Sequence, residues 1–151
     1  MSEQDGVIAV WRVGPQGLLG GYALALVPAL AAAARWLALA VRPDLDNLTS
    51  AGVVTGIALG FGLFSWWTVL RVRLELTAEG ILMVNPWGTQ RLPWPQVETV
   101  TLGGWGAEFR TLDGFKFTAR ALGNFGEGRR RQDERFAELQ RLVEPLLADP
   151  R

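Results

Sequence analysis

The sequence predicts an α+β membrane protein, in which a two-helix transmembrane hairpin precedes a small antiparallel β-barrel or sheet that ends in an amphipathic helix. Three observations lead to this fold class. The first half holds two long uncharged apolar runs, from Arg71 onward apolar and polar residues alternate with a period of two, and the last part carries an apolar stripe at helical spacing.

The composition excludes several kinds of chemistry. The chain of 151 residues contains no cysteine and no histidine, and its formal net charge is zero. Disulfides, thiolate nucleophiles, haem or iron–sulfur ligation and ordinary zinc sites therefore cannot form, and the commonest general acid–base residue is missing. We expect no catalytic residue, no cofactor and no metal site, and hence a protein that is not an enzyme.

The N-terminal segment, residues 1–13, has two interpretations. Its first five residues are polar, whereas Val7–Val13 is a short apolar run that contains Trp11 and Arg12. This run is either an interfacial juxtamembrane segment with Trp11 at the depth of the lipid headgroups or a β-strand. The sequence pattern does not choose between the two.

The first transmembrane helix is predicted at about residues 17–41. The stretch Gly14–Ala34 carries no charge and is long enough to cross about 30 Å of hydrocarbon. Arg35 and Trp36 follow, and we interpret the arginine as reaching back to the interface rather than as a functional intramembrane charge. A cleaved signal peptide is disfavoured, because the leader is acidic and the apolar region is too long.

The second helix is predicted at about residues 51–70, after a turn at Arg42–Ser50, so that residues 14–70 form the hairpin. Gly52, Gly56 and Gly60 repeat at every fourth position and would let another helix approach closely. We favour the first helix as the partner of this glycine stripe over a second copy or another subunit, because the short loop makes the two helices neighbours.

The arginines at the helix ends predict the orientation. Arg12, Arg71 and Arg73 mark the side of the termini, whereas Arg35 and Arg42 mark the side of the short loop. Positive charge is enriched on the cytoplasmic side of membrane proteins. The chain is thus expected to cross the plasma membrane twice with both termini in the cytoplasm.

Residues 71–147 are predicted to form the soluble domain, and residues 148–151 a tail. Short alternating runs separated by turns predict six strands: 72–77, 81–84, 89–94, 97–102, 107–112 and 115–120. Asp113-Gly114 is a strong hairpin signal, and Gly123–Gly128 is a loop. A helix follows at about residues 130–147, and its apolar stripe is expected to close the barrel; the stripe comprises Phe136, Leu139, Leu142, Val143, Leu146 and Leu147.

This order of elements resembles the pleckstrin-homology (PH)-like barrel. Two segments carry the resemblance: Leu76–Ile81, which reads LTAEGI, and Arg91–Val97, which reads RLPWPQV. More narrowly, the chain resembles actinobacterial membrane proteins in which a two-helix hairpin precedes a small bacterial PH-like domain. The resemblance covers about residues 71–147 and the preceding hairpin, and it implies binding more often than catalysis.

The functional hypotheses follow from the remaining charges and apolar faces. Arg129, Arg130 and Arg131 form a cluster that could contact anionic lipid headgroups, although a solvated loop beside nearby acidic residues explains it as well. From Arg71 onward, 12 basic and 11 acidic residues leave no basic stripe for nucleic acid. We expect a non-catalytic binding or scaffolding module at the cytoplasmic face of the lipid bilayer, with a protein partner; the alternative is an accessory subunit of a membrane complex.

Overall fold

The computed structural model describes residues 6–124 and 128–148 and divides into two compact units. One unit comprises Leu18–Leu70 and is helical. The other combines the chain up to Gly17 with the chain from Arg71 onward, and it contains both β-sheets and the C-terminal helix.

The helical unit consists of two apolar helices. Helix α1 spans Pro15–Val41 and helix α2 spans Leu45–Ser65, after which Trp66–Leu70 continues as a π-helical turn. Both helices are long and apolar enough to cross a membrane by length and composition, and only 6% of the most apolar window of each is buried. Helices in the core of a soluble protein would bury most of such a surface.

Helix α2 begins six residues earlier than predicted, because a helix cap forms inside the predicted turn. The Asp44 carboxylate accepts a hydrogen bond from the Asn47 backbone N–H at 2.7 Å, and the Asn47 side-chain amide donates to the Arg42 carbonyl at 2.9 Å. An aspartate at this position satisfies one of the unpaired N–H groups of the first helical turn. The connection between the helices therefore shortens from nine residues to Arg42–Asp44.

The two helices contact each other through a face that lacks the glycine stripe. The Ser65 hydroxyl donates to the Gly21 carbonyl at 2.6 Å, and the Trp36 indole donates to the Thr55 hydroxyl at 2.9 Å. A Cβ atom added at Gly21 would lie 3.0 Å from Val69 Cγ1. In contrast, a Cβ atom added at any residue of the stripe (52, 56 and 60) would meet nothing within 4 Å. The expected packing of the stripe on the first helix is therefore wrong.

The β unit contains two antiparallel sheets. The first has the order β1-β2-β3-β4 and the second the order β5-β6-β7. The strands are β1 Val7–Arg12, β2 Arg73–Thr77, β3 Gly80–Asn85, β4 Gly88–Pro93, β5 Val97–Gly103, β6 Gly106–Thr111 and β7 Lys116–Ala119. The six strands predicted from alternation correspond to β2–β7.

Strand β1 resolves the two interpretations of the N-terminal segment. It pairs antiparallel with β2, and Arg12 lies opposite Arg73. The segment, predicted as a separate juxtamembrane piece, is therefore the edge strand of the first sheet. The sequence of this strand shows no alternation of apolar and polar residues, because both of its faces carry apolar side chains. As a consequence, both apolar helices are inserted in the sequence between two neighbouring strands of one sheet.

The core of the β unit lies between the sheets and helix α3, which spans Arg129–Ala148. Phe109, Leu74 and Leu76 are fully buried, and Leu139 and Val143 of the predicted apolar stripe are 0% and 1% exposed. The stripe of α3 therefore covers the β unit, as its spacing predicts.

The two segments that carry the sequence resemblance meet in space. The Trp94 indole N–H donates to the Thr77 carbonyl at 3.0 Å, and the Trp94 backbone N–H donates to the Glu79 carbonyl at 3.4 Å. Gly80 is required here, because an added Cβ atom would lie 2.4 Å from the Leu92 carbonyl oxygen. These contacts join the β2–β3 turn to the end of β4.

Candidate functional site

Two short turns of the β unit each present a tryptophan. Asn85 pairs with Gly88 across the turn between β3 and β4, and Gly103 pairs with Gly106 across the turn between β5 and β6. Each turn thus has two central residues, and the second of them is Trp87 or Trp105. Trp87 is 86% exposed and Trp105 is 71% exposed.

A glycine with positive φ follows each of these tryptophans. Gly88 has φ +150° and Gly106 has φ +136°, a region that disfavours residues with a Cβ atom. Gly106 also permits a close approach, since an added Cβ atom would lie 2.2 Å from the Ala119 carbonyl oxygen. The Trp-Gly sequence therefore fixes each turn and places the indole ring at its tip.

The Asn85 side chain connects the two sheets. Its amide group donates to the Thr118 carbonyl at 2.8 Å, and its amide oxygen accepts from the Arg120 backbone N–H at 3.1 Å. Asn85 is 8% exposed. This amide reproduces the pairing that a neighbouring strand would offer to β7, so the end of β3 is held against the end of β7.

Beyond Asn85 the surface opens into a cleft of about 460 Å³. We call it the tryptophan cleft. Its lining combines aromatic, polar and cationic groups: Asn85, Trp87, Gly88, Gln90, Trp105, Lys116, Phe117, Thr118 and Arg120. A concave surface of this size with a few convergent polar groups is typical of a ligand-binding site.

The charges of the tryptophan cleft are held in defined positions. Lys116 Nζ lies 2.6 Å from Glu108 Oε2, and the Arg120 guanidinium lies 5.3 Å from the centre of the Trp105 ring. Among residues 6–124 and 128–148, no carboxylate forms a salt bridge with Arg120. Two cations and one carboxylate leave one net positive charge, so the cleft favours a small anion.

The cleft lies at a particular end of the first sheet. At this end β1 stops at Arg12, β2 starts at Arg73, and β3 turns into β4 after Asn85. The chain leaves the sheet for α1 and returns from the π-helical turn here, so we call it the helix-bearing end. Only two residues separate β1 from α1, and two separate Leu70 from β2.

The predicted arginine cluster lies in the first turn of α3. The three side chains are exposed, and the Arg130 guanidinium forms a salt bridge of 3.3 Å with Glu134. Further along this helix, Arg135 donates to the carbonyls of Arg12 and Ala121. The start of α3 therefore packs beside the end of β1. The neighbouring loop at Gly123–Gly128 is described only in part, since residues 125–127 lie outside the described ranges.

The acidic residues that the sequence places together lie in two regions, near the helix connection and on α3. Residues 6–124 and 128–148 contain no group of three or more acidic side chains that could hold a metal ion. Asp44 serves as the cap of α2, and Asp46 lies in the first turn of that helix. Asp133 and Glu134 are exposed on α3.

Sequence reasoning missed the tryptophan cleft, although a signal was present. Turn tips usually carry Gly, Asn, Asp or Ser, so a tryptophan at the tips of two turns is unexpected. The motifs Asn85–Gly88 (NPWG) and Gly103–Gly106 (GGWG) are typical of turns between strands, and taken one by one they indicate nothing more. Their joint position, together with Lys116 and Arg120 from β7 and beyond, follows from sheet packing.

Comparison with known families supports the fold. Residues 71–142 match the family described as Bacterial PH domain, and this match begins after the apolar helices and ends within α3. Two antiparallel sheets followed by a C-terminal helix fit this similarity. A search of curated proteins and a search of solved structures found no match. PH domains are typically binding modules, and the described residues contain no positive sign of catalysis.

Proposed function

We propose that this chain is a non-catalytic binding and scaffolding module that α1 and α2 anchor in the plasma membrane, with its PH-like domain at the cytoplasmic face. The insertion of both apolar helices between β1 and β2 carries the proposal. Since β1 belongs to the sheet, the domain is tied to the helices at two points. Removal of α1 as a signal sequence would also remove an edge strand.

The surface of the two helices supports membrane insertion. Leu19, Leu30 and Leu37 of α1 are 69–70% exposed, and Leu59 and Leu63 of α2 are 64% and 67% exposed. Burying such side chains in hydrocarbon removes the cost of exposing each to water, which is about 1.5–3 kcal/mol for a full side chain. A bilayer is the environment that covers this surface on every side.

The first experiment tests anchoring and orientation together. Because the chain lacks cysteine, no other thiol competes with an introduced one. Two single variants are made at exposed positions: Asp46→Cys in the first turn of α2, beside the connection between the helices, and Thr101→Cys on β5. Membranes are washed with alkaline carbonate, and intact cells are treated with a membrane-impermeant thiol reagent.

The proposal expects the chain to stay in the washed membranes. Asp46→Cys should react in intact cells, whereas Thr101→Cys should react only after lysis. Release by carbonate would contradict anchoring. The reverse labelling pattern would leave the anchor in place but contradict the cytoplasmic position of the domain.

The arginine cluster Arg129–Arg131 supports contact with anionic lipid. Its side chains are exposed, and the helix that bears them packs beside the last residue of β1. Each basic residue near an anionic membrane surface contributes about 1 kcal/mol of attraction. Replacing all three by alanine should weaken association of the domain with anionic vesicles, and an unchanged affinity would refute this role.

A second candidate function is that of an accessory subunit, and the open glycine stripe favours it. Since a Cβ atom at Gly52, Gly56 or Gly60 meets nothing within 4 Å, the stripe is available to a helix of another chain. The native protein is extracted in mild detergent and its mass is measured with all companions. Gly56→Leu should remove a stoichiometric partner.

Gly20→Leu is the matched control for this experiment. Gly20 lies on α1, and a Cβ atom there also meets nothing within 4 Å. The control should keep the partner. A particle of a single copy, or a partner that both variants retain, would refute the subunit hypothesis and leave the anchored module.

A further inference from the structure

A single arginine interrupts the apolar surface of the helical unit. Arg35 lies in α1, six residues before the end of that helix at Val41, and its side chain is exposed. We infer that Arg35 is a docking point for a transmembrane helix of a different protein, which presents an aspartate or glutamate side chain at the same depth. This inference rests on the proposed function, because it requires that α1 and α2 cross the bilayer.

The contact between the two helices fixes the depth of Arg35. The neighbouring Trp36 donates its indole N–H to the Thr55 hydroxyl, and Thr55 is the central residue of α2. Asp46, in the first turn of α2, comes nine residues earlier, so Thr55 lies roughly 14 Å beyond it along the helix axis. A charged Asp46 stays in the headgroup layer or in water, and that layer is only about 5–8 Å thick on each side. Arg35 therefore lies inside the hydrocarbon, although its position in α1 alone places it near a helix end.

The direction of the side chain opposes an escape to the nearer interface. In an α-helix, each Cα–Cβ bond tilts toward the N-terminus of the helix. The nearer interface lies at the C-terminal end of α1, beside the connection Arg42–Asp44. The Arg35 side chain thus starts toward the centre of the bilayer, and it has to bend back to reach lipid phosphate.

The helical unit supplies no acceptor for this guanidinium. The polar groups at its level satisfy one another, because the Thr55 hydroxyl accepts from Trp36 and donates to the Ala51 carbonyl at 2.7 Å. In the part of the chain that the structure describes, the Arg35 side chain forms no ion pair and no hydrogen bond. A positive charge with five N–H donors is costly to leave unpaired in hydrocarbon. The group therefore needs an acceptor from outside the two helices.

The charge of Arg35 selects a different protein over a second copy. Between residues 14 and 70 the only acidic residues are Asp44 and Asp46, both at the start of α2. A second copy would bring another arginine but no carboxylate to this depth, and like charges repel. A helix with one aspartate or glutamate at this level would instead pair with the guanidinium through two parallel hydrogen bonds.

The test measures binding of the full chain to designed transmembrane helices in phosphatidylcholine vesicles. Each probe is a leucine–alanine helix with one variable residue at its centre, which is aspartate, leucine or lysine. Energy transfer reports the association of the probe with the chain labelled at Asp46→Cys. The aspartate probe should bind at least about tenfold more tightly than the leucine probe, because only the aspartate probe forms a charged pair with Arg35.

Three substitutions show whether the charge at position 35 is responsible. Arg35→Gln should reduce binding of the aspartate probe to the level of the leucine probe. The control Arg42→Gln removes the same charge from the exposed helix connection and should leave binding unchanged. Arg35→Glu should prefer the lysine probe. A general loss of packing cannot exchange the preference in this way.

Three outcomes would overturn the docking point. Two of them are equal binding of the aspartate and leucine probes, and binding of the aspartate probe that Arg35→Gln leaves unchanged. The third is labelling of Arg35→Cys in intact cells as readily as Asp46→Cys, because position 35 would then lie in water. The anchored module would survive each of these results, since carbonate extraction and the labelling of Asp46→Cys test it separately.

Discussion

At the scale of single residues, Asn85 both begins the β3–β4 turn and holds the two sheets of the β unit together. One side-chain amide satisfies both a carbonyl and an N–H group of the segment at Thr118–Arg120. Because Asn85 is 8% exposed, water cannot readily replace these bonds. The two sheets are therefore joined at this point by a side chain rather than by a strand ladder.

We predict that Asn85→Ala destabilises the β unit. Leaving the Thr118 carbonyl and the Arg120 N–H without their partner should cost about 2 kcal/mol of folding free energy. The melting temperature of the full chain in mild detergent measures the effect. Gln90→Ala, which truncates an exposed amide on neighbouring β4, should change stability by about 0.5 kcal/mol or less. Equal melting temperatures for both variants would contradict the role of Asn85.

At the scale of elements, the helical unit shows that one glycine and a stripe of glycines have different roles. Gly21 lets α1 and the chain after Ser65 approach closely, and it accepts the Ser65 hydrogen bond. The stripe at 52, 56 and 60 repeats with the spacing typical of helix packing, yet α1 does not use it. Spacing therefore predicts a surface that can pack, whereas the choice of face depends on which hydrogen bonds form.

We predict that Gly21→Leu disrupts the packing of α1 and α2. The first atom of the new side chain would already lie 3.0 Å from Val69 Cγ1 and 3.3 Å from Ser65 Oγ. Overpacking of this kind typically costs about 1–3 kcal/mol. The measurement is again the melting temperature in mild detergent, and the neighbouring Gly20→Leu serves as control. If the Gly20 variant is destabilised as much as the Gly21 variant, the contact does not hold the hairpin.

At the scale of the whole molecule, the order of elements along the chain differs from their order in space. Strand β1 comes before both apolar helices, yet it pairs with β2, which follows them. The family match begins at residue 71 and therefore omits a strand of the first sheet. A fragment that starts at residue 71 would leave the edge of β2 without its partner strand.

We predict that the β unit folds without the helices if β1 is kept. Because Arg12 and Arg73 are paired, a short Gly-rich turn can replace residues 14–70. The resulting protein should be soluble and should unfold cooperatively. The fragment 71–148 should be less stable or aggregate, since it exposes the β2 edge. Circular dichroism during heating compares the two, and equal stability would show that β1 is dispensable.

Much of the architecture could be anticipated from residue patterns alone. The two uncharged runs predict the two helices α1 and α2, and the alternation of apolar and polar residues predicts strands β2–β7. The apolar stripe that includes Leu139 and Val143 predicts α3 and the face that it buries. These features depend on periodicity and length, which are local properties of the chain. The absence of cysteine and histidine likewise excludes disulfides, thiolate nucleophiles and ordinary zinc sites from the sequence alone.

The remaining features required the fold, because they depend on residues that are distant in sequence. Val7–Arg12 becomes a strand through pairing with residues more than 60 positions away, and no local signal distinguishes that partner from the bilayer interface. The tryptophan cleft brings together two turns and the end of β7, which meet through the Asn85 amide. Periodicity describes the faces of each element, whereas tertiary packing alone decides which faces meet and which stay open for a ligand.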